Sequence, residues 1–280
     1  MNFFVKLLLI LQTEMTEPTA WGWYHILWLG ITAGGIALLY LLKRHWGEKQ
    51  LKWVLAIYGI VSLLTEVAKQ ISWSFEWDMA TQTATWDYQW YSAPFQLCST
   101  PIYLSLICLF LRPGKLRESL LTYLSLVTII GGFMTLILPD SCLCSDILVN
   151  IHTMWLHCGS FVLAIYLLMS GHARLDKTGW IRASVVFFIL AGIALAMNIG
   201  VYQSGILGDE TFNMFYISPY FISVLPVFDV IQQSVPYLVF LALYFIAVLL
   251  GSGIVFWLTR LVKYGVKQYE QRKSLVSEKI

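Results

Sequence analysis

The sequence predicts an all-α polytopic membrane protein: a seven-transmembrane helix bundle with its N-terminus outside and its C-terminus cytoplasmic. Three observations carry this. Of 280 residues, 58% are hydrophobic and 12% charged, with a mean hydropathy of +0.70, more apolar surface than one soluble core could hide. The apolar residues gather in windows near the length of a bilayer-crossing helix. Lys and Arg then cluster in every second connection, the side retained in the cytoplasm during insertion.

In chain order, residues 1–22 open with MNFFVKLLLILQ, whose apolar run is too short to span and lacks a small-residue cleavage site. An N-terminal interfacial segment is expected there, with an uncleaved signal-like sequence as the alternative. Spans are expected at about 23–42, 52–73, 92–111, 117–138, 147–170, 181–202 and 235–258, which together make a transmembrane domain at 23–258. Residues 259–280 form a basic cytoplasmic tail. Lys43, Arg44, Lys49 and Lys52 follow the first span; Arg112, Lys115 and Arg117 the third; Arg174, Lys177 and Arg182 the fifth. The intervening connections hold no Lys or Arg, only acids such as Glu76, Asp78, Asp140, Asp209 and Glu210. A net charge of +2, so segregated, excludes a nucleic-acid partner. The connection at 203–234 is rich in aromatics and prolines, which suits either a lid folded over the bundle mouth or an interfacial helix.

Polar groups inside spans are costly, so each one is a candidate site residue. These are Glu66 and Lys69 in the second span, Gln96 and Cys98 in the third, Asn150, His152 and His157 in the fifth, and Asn198 in the sixth. Glu66 and Lys69, three apart on one face, can pair with each other. Cys108 and Cys158 read as inert packing cysteines. Cys98 differs because polar neighbours surround it in PFQLCSTP, between Pro94 and Pro101, and because the fifth span brings imidazole from the same side. A thiol becomes a good nucleophile once a base takes its proton. At about 1.5 Å per residue Cys98 lies about 9 Å deep, His152 about 8 Å and His157 about 15 Å, so depth favours His152 and tilt leaves His157 within reach. Their five-residue spacing, roughly 140° around a helix, keeps them from serving one atom together and argues against a metal. Cys142 and Cys144, in DSCLCSD, face the oxidising side in this topology, where a bridge across a single residue would be strained.

APFQLCS resembles the LPLHLC or LPLQLC element of the YwaF-type bacterial integral membrane protein family, related to an animal Cys/His transmembrane phospholipid acyltransferase. LILPD at 136–140 is similar to the family's LTPD, and NIHTMWLHCG at 150–159 to FFHFFIVHA with the same histidine spacing. Asn198 followed by TFNMFYISP is similar to the family's Asn with NYMYL and a later proline. The resemblance runs from about residue 50 to 240.

It implies a Cys98 nucleophile and a His157 base, with His152 orienting the site or touching substrate. The reaction implied is acyl transfer between a phospholipid donor and a lysolipid acceptor, through an acyl-thioester, in a multi-pass protein of the bacterial plasma membrane. Gln96, Asn198 and Asn213 are expected amide donors to the oxyanion, a contact that can lower a barrier by about 3 kcal/mol. Glu66 and Lys69 would hold a phosphate headgroup or fix the imidazole. Neither metal nor cofactor is expected. A lipid-ester hydrolase of related mechanism is the nearest alternative; a seven-span transporter or sensor with a Glu66, Lys69 and histidine relay is the alternative from another class.

Overall fold

The computed structural model describes residues 2–139 and 142–277. Asp140, which ends the LILPD motif, and Lys279 of the basic tail lie outside the described residues. The opening segment forms helix α1 (Phe3–Leu11), started by the Asn2 side chain accepting from the Val5 amide at 2.9 Å. Val5 and Leu8 pack on Phe75, and Gln12 Nε2 donates to the carbonyls of Ser72 and Phe75 at 2.7 and 2.6 Å.

Helices α2 (Trp23–Leu41) and α3 (Glu48–Ser74) follow, both long and apolar enough to cross a bilayer. The connection after α3 then departs from an all-helical reading, because β1 (Phe75–Asp78) and β2 (Thr83–Trp86) pair as an antiparallel hairpin. FEWD and TATW are rich in β-formers. Asp78 closes their turn by accepting from the Ala80 and Thr81 amides at 2.7 and 3.3 Å; the Thr81 hydroxyl, and then these amides, hold its carboxyl below the usual carboxylate range.

The expected third span, 92–111, is the main correction. Residues 93–99 are non-helical, and only α4 (Thr100–Phe110) is an α-helix, about 16 Å long and half the hydrocarbon thickness. Pro94 offers no amide to a helix, whereas Pro101 suits a helix's first turn, so the chain starts its helix there. Six helical stretches, rather than seven, are therefore long enough to span among the described residues.

The next is continuous from Lys115 to Ile137 by way of α5 (Lys115–Leu126) and α6 (Thr128–Ile137). Then come α7 (Ile147–Ser170) and α8 (Lys177–Gln203), their N-termini capped by Asp146 and Asp176, which accept from the amides of Val149 and Gly179 at 3.0 and 2.7 Å. The short α9 (Phe228–Ser234) leads into α10 (Tyr237–Ser277). At 41 residues α10 rises about 60 Å, twice the hydrocarbon, so the basic tail is a continuation of the last span.

The stretch from Lys115 to Ile137 is the axis of the bundle: an 18-residue apolar window of it is 72% buried, against 17% for such a window in Tyr237–Tyr269. Tyr123, Leu124 and Leu126 are fully buried there. Two glycines set the closest helix approaches. A Cβ at Gly132 would lie 2.7 Å from the His157 carbonyl oxygen, and one at Gly59 2.7 Å from Ser105 Oγ, so α6 meets α7 and α3 meets α4 without room for a methyl. The aromatic connection at 203–234 divides in two. Phe212, Met214, Phe215, Ile217 and Ser218 are all buried in the end of the bundle as a plug, while α9 buries no residue.

Candidate functional site

The loop that carries Cys98 is fastened on each side. Gln70 Nε2 and Lys69 Nζ, from the last turns of α3, both donate to the Ser92 carbonyl at 2.7 and 3.4 Å. Tyr103 OH donates to the Pro94 carbonyl at 2.6 Å, and Thr100 Oγ1 lies 3.0 Å from Tyr123 OH. Gln96 reaches the plug: its Nε2 donates to the Asn213 carbonyl at 2.9 Å, and its Oε1 accepts from the Phe215 amide at 2.8 Å. Cys98 is left half-buried between these fastenings, within electrostatic range of Cys142, Lys69 and Glu66.

Glu66 and Lys69 pair as the helical spacing predicts, Oε1 to Nζ at 2.8 Å, with side chains 3% and 11% exposed. Gln70 Nε2 donates to the same oxygen at 2.8 Å. The other carboxylate oxygen lies 3.0 Å from His152 Nε2, a close contact without hydrogen-bond alignment. His152 Nδ1 is 3.1 Å from Thr65 Oγ1. Both ring nitrogens of His152 therefore already face partners on α3, which suits a residue that ties α7 to α3 and orients Glu66.

Asn198 and Asn213 do not stand free. Asn198 holds both sides of one residue, donating to the Met214 carbonyl at 3.0 Å and accepting from its amide at 2.7 Å. Asn213 accepts from the Ser218 amide at 2.8 Å and donates to the carbonyls of Phe221 and Ile222 at 3.3 and 3.2 Å. With Gln96 likewise engaged at both ends, all three amides act as backbone fasteners here. What they hold is strained: Phe215 and Tyr216 both sit at φ 57°, the left-handed region that bulky side chains avoid, and such outliers persist where their surroundings over-determine them. Phe215 also stacks on Phe95, with ring centroids 5.9 Å apart.

His157 lies on the α6 side of α7, its Nδ1 4.0 Å from where a Cβ of Gly131 would stand. It is within electrostatic range of His152. Among the described residues no hydrogen bond joins His157 to Cys98. Asn150 fastens a turn, its side chain accepting from the Cys144 amide at 3.0 Å and donating to the Cys144 carbonyl at 2.6 Å. Cys142 and Cys144 are not bridged: the Cys142 sulfur is 3.8 Å from Thr135 Oγ1, and the Cys144 sulfur 3.8 Å from the Asp146 carbonyl oxygen.

A bundle of membrane-length helices around a pinned, half-buried cysteine loop can be set beside known proteins. The TMEM164 family model matches residues 20–253. The chain belongs to the TMEM164 family. This transmembrane family is consistent with the kinship to an animal membrane protein drawn from the motifs; the match does not itself show the YwaF-type resemblance. No curated protein and no solved structure matches the chain. The TMEM164 match takes in Glu66, Lys69, Gln96, Cys98, both α7 histidines, Asn198 and Asn213.

Two features of this TMEM164 family member escape a reading of the sequence. Tyr216, within electrostatic range of Cys98 and Cys142, presents a phenol with no hydrogen bond among the described residues. Asparagine is the residue in TFNMFYISP that would suggest a left-handed turn, yet Asn213 has φ −137° and the left-handed positions are the bulky Phe215 and Tyr216, which no sequence signal marks. Gly131, against which the His157 ring lies, reads in the sequence only as one of two adjacent span glycines.

Proposed function

We propose that this protein moves a fatty acyl chain between membrane lipids through a thioester on Cys98. The observation that carries the reading is the Cys98 loop, a half-buried thiol held between an ion-paired helix end and a strained backbone plug. Such investment in immobility around one nucleophilic side chain suits catalysis better than packing.

In the proposed reaction His157 takes the Cys98 proton, and the thiolate attacks the carbonyl carbon of a phospholipid ester. The carbon–oxygen bond breaks, and the imidazolium returns its proton to the departing lysolipid oxygen. A lysophospholipid hydroxyl, deprotonated by the same imidazole, then attacks the thioester and frees the thiol. His157 is preferred to His152 because both nitrogens of His152 already face Glu66 and Thr65. Catalytic hydrogen bonds often tighten only with substrate bound, so the ester would draw sulfur and imidazole together. The oxyanion donor falls to Tyr216 OH, since Gln96, Asn198 and Asn213 are spent on backbone groups. Lys69 and Glu66 would set the loop and receive the headgroup.

The reading places the Cys98 end outside and the basic end in the cytoplasm of a cell membrane, with residues 93–99 and the short α4 together carrying the chain to the basic end, where Arg117 Nε donates to the Cys108 carbonyl. Arg117, Arg174 and Arg182 lie together at the end away from Cys98, which supports this orientation. α1 buries only Val5 and Leu8 and leaves Phe3 and Ile10 82% and 66% exposed, which supports an interfacial setting.

The test is intact-mass analysis of purified protein given phosphatidylcholine. One acyl mass added to wild type, absent from Cys98→Ser and slowed by His157→Ala, is the expected result. Acyl exchange that proceeds unchanged in Cys98→Ala would overturn the proposal.

A further inference from the structure

Away from the Cys98 loop, α2, α3 and α7 enclose a cavity of about 270 Å³. Trp28, Gly35 and Leu38 of α2, Tyr58 of α3, and Gly159 and Val162 of α7 line it, and its wall is almost wholly hydrocarbon. All three helices are membrane-length, and its rim residues Ile31, Leu38 and Ile57 are 46%, 57% and 54% exposed. What lies outside this opening is therefore lipid rather than water. From Trp28 to Leu38 the cavity runs about 15 Å along α2, a slot elongated parallel to the chains of the bilayer.

Glycine makes the slot. A Cβ at Gly35 would lie 3.5 Å from both methyls of Val162, and one at Gly159 3.0 Å from the Tyr58 ring. Side chains at these positions would fill the space that a slender guest otherwise takes. An empty apolar slot forfeits dispersion contacts on every wall, and a flexible hydrocarbon chain restores them. One end adjoins polar groups: Trp155 Nε1 donates to Ser62 Oγ at 3.0 Å, one turn from Glu66 and its Lys69 partner. Tyr58 is a shared wall, its OH donating to the Leu156 carbonyl at 3.3 Å, its ring lining the slot, and Cys98 within its electrostatic range.

We infer that this slot holds one fatty acyl chain of a membrane lipid, with its terminal methyl toward Leu38 and its polar end toward Glu66 and Lys69. The occupancy stands on the slot itself; its purpose, gripping the chain of a transferred acyl group, rests on the acyl-transfer reading.

The experiment uses the full chain in nanodiscs containing a phosphatidylcholine with a diazirine near the methyl end of one acyl chain. After irradiation, peptides are mapped by mass spectrometry. Label is expected to concentrate on residues 31–39 and 155–163. Because lost space means lost contacts, it should fall about fivefold in Gly35→Phe and about twofold in Gly35→Ala, whose single methyl makes an ordinary contact and protects the test should Phe misfold. Gly34→Phe, at a position with nothing within 4 Å, should label like wild type. Label spread evenly over all lipid-facing helices, label unchanged in Gly35→Phe, or α2 crosslinked to a second copy in place of lipid would each overturn the inference. Cys98→Ser should keep the label. A labelled wild type that never forms the thioester would defeat acyl transfer and leave the occupant of the slot established.

Discussion

The two ends of the bundle are held together by different chemistry. At the Cys98 end, neutral amides grip backbone: Gln96 reaches across 117 positions, Asn198 across 16, and Asn213 pins the turn that follows it. At the opposite end, ion pairs join side chains: Arg117 to Glu48 at 2.8 Å, Arg174 to Asp176 at 2.8 Å, and Arg182 to Glu118 at 3.1 Å. An amide that meets a carbonyl and an N–H together fixes a backbone position, whereas exposed ion pairs are screened and tolerate geometric slack. On the acyl-transfer reading, the end that would place one sulfur uses the first device, and the end assigned to the cytoplasm uses the second.

The contrast is broken most completely at Cys98. Cys98→Ala should leave helix content and melting unchanged by circular dichroism while abolishing the acyl adduct. Next comes Glu66→Leu, which strands Lys69 and His152 in an apolar setting; breaking a buried pair costs about 3–5 kcal/mol, read as a lowered melting point in detergent. Asn198→Leu leaves the Met214 amide and carbonyl without partners, at about 1–3 kcal/mol for each group, and should also slow thioester formation. At the basic end, Arg117→Met should cost less, about 1–2 kcal/mol, since its Glu48 partner is 46% exposed while the bond from Nε to the Cys108 carbonyl is buried.

Asp176→Asn should have the smallest effect. The Gly179 amide, and then Arg174, hold this carboxyl below its usual range, so its contribution is present above the ordinary carboxylate pKa and is lost as pH falls through the lowered one. Melting curves of wild type and variant should converge at acid pH. High salt should weaken this end and leave the amide end unmoved.

Much of this was legible in the chain. Long apolar runs bounded by charge marked the spans that became α2, α3, α7 and α8, since hydrocarbon length dictates them locally. The run at 92–111 misled because hydropathy counts apolar residues and is blind to the amide that Pro94 lacks and to the helix start that Pro101 favours. Site residue types were legible because a buried polar group must have a reason. Their partners were not: Gln96 meets Asn213 across 117 positions, and no periodicity links them. Glu66 and Lys69 were readable as a pair because one helix turn carries both.

That 117-residue reach sets an order of events during biosynthesis. The stretch around Cys98 leaves the ribosome early and can meet Gln70 and Tyr103 at once, yet Gln96 has no partner until the turn after Asn198 has been made and delivered across the bilayer. A nascent chain released before that moment would thread its first helices correctly and still carry a slack, unshaped thiol. On the acyl-transfer reading, competence for chemistry would thus arrive late, a safeguard against a reactive sulfur loose among lipids while assembly is unfinished.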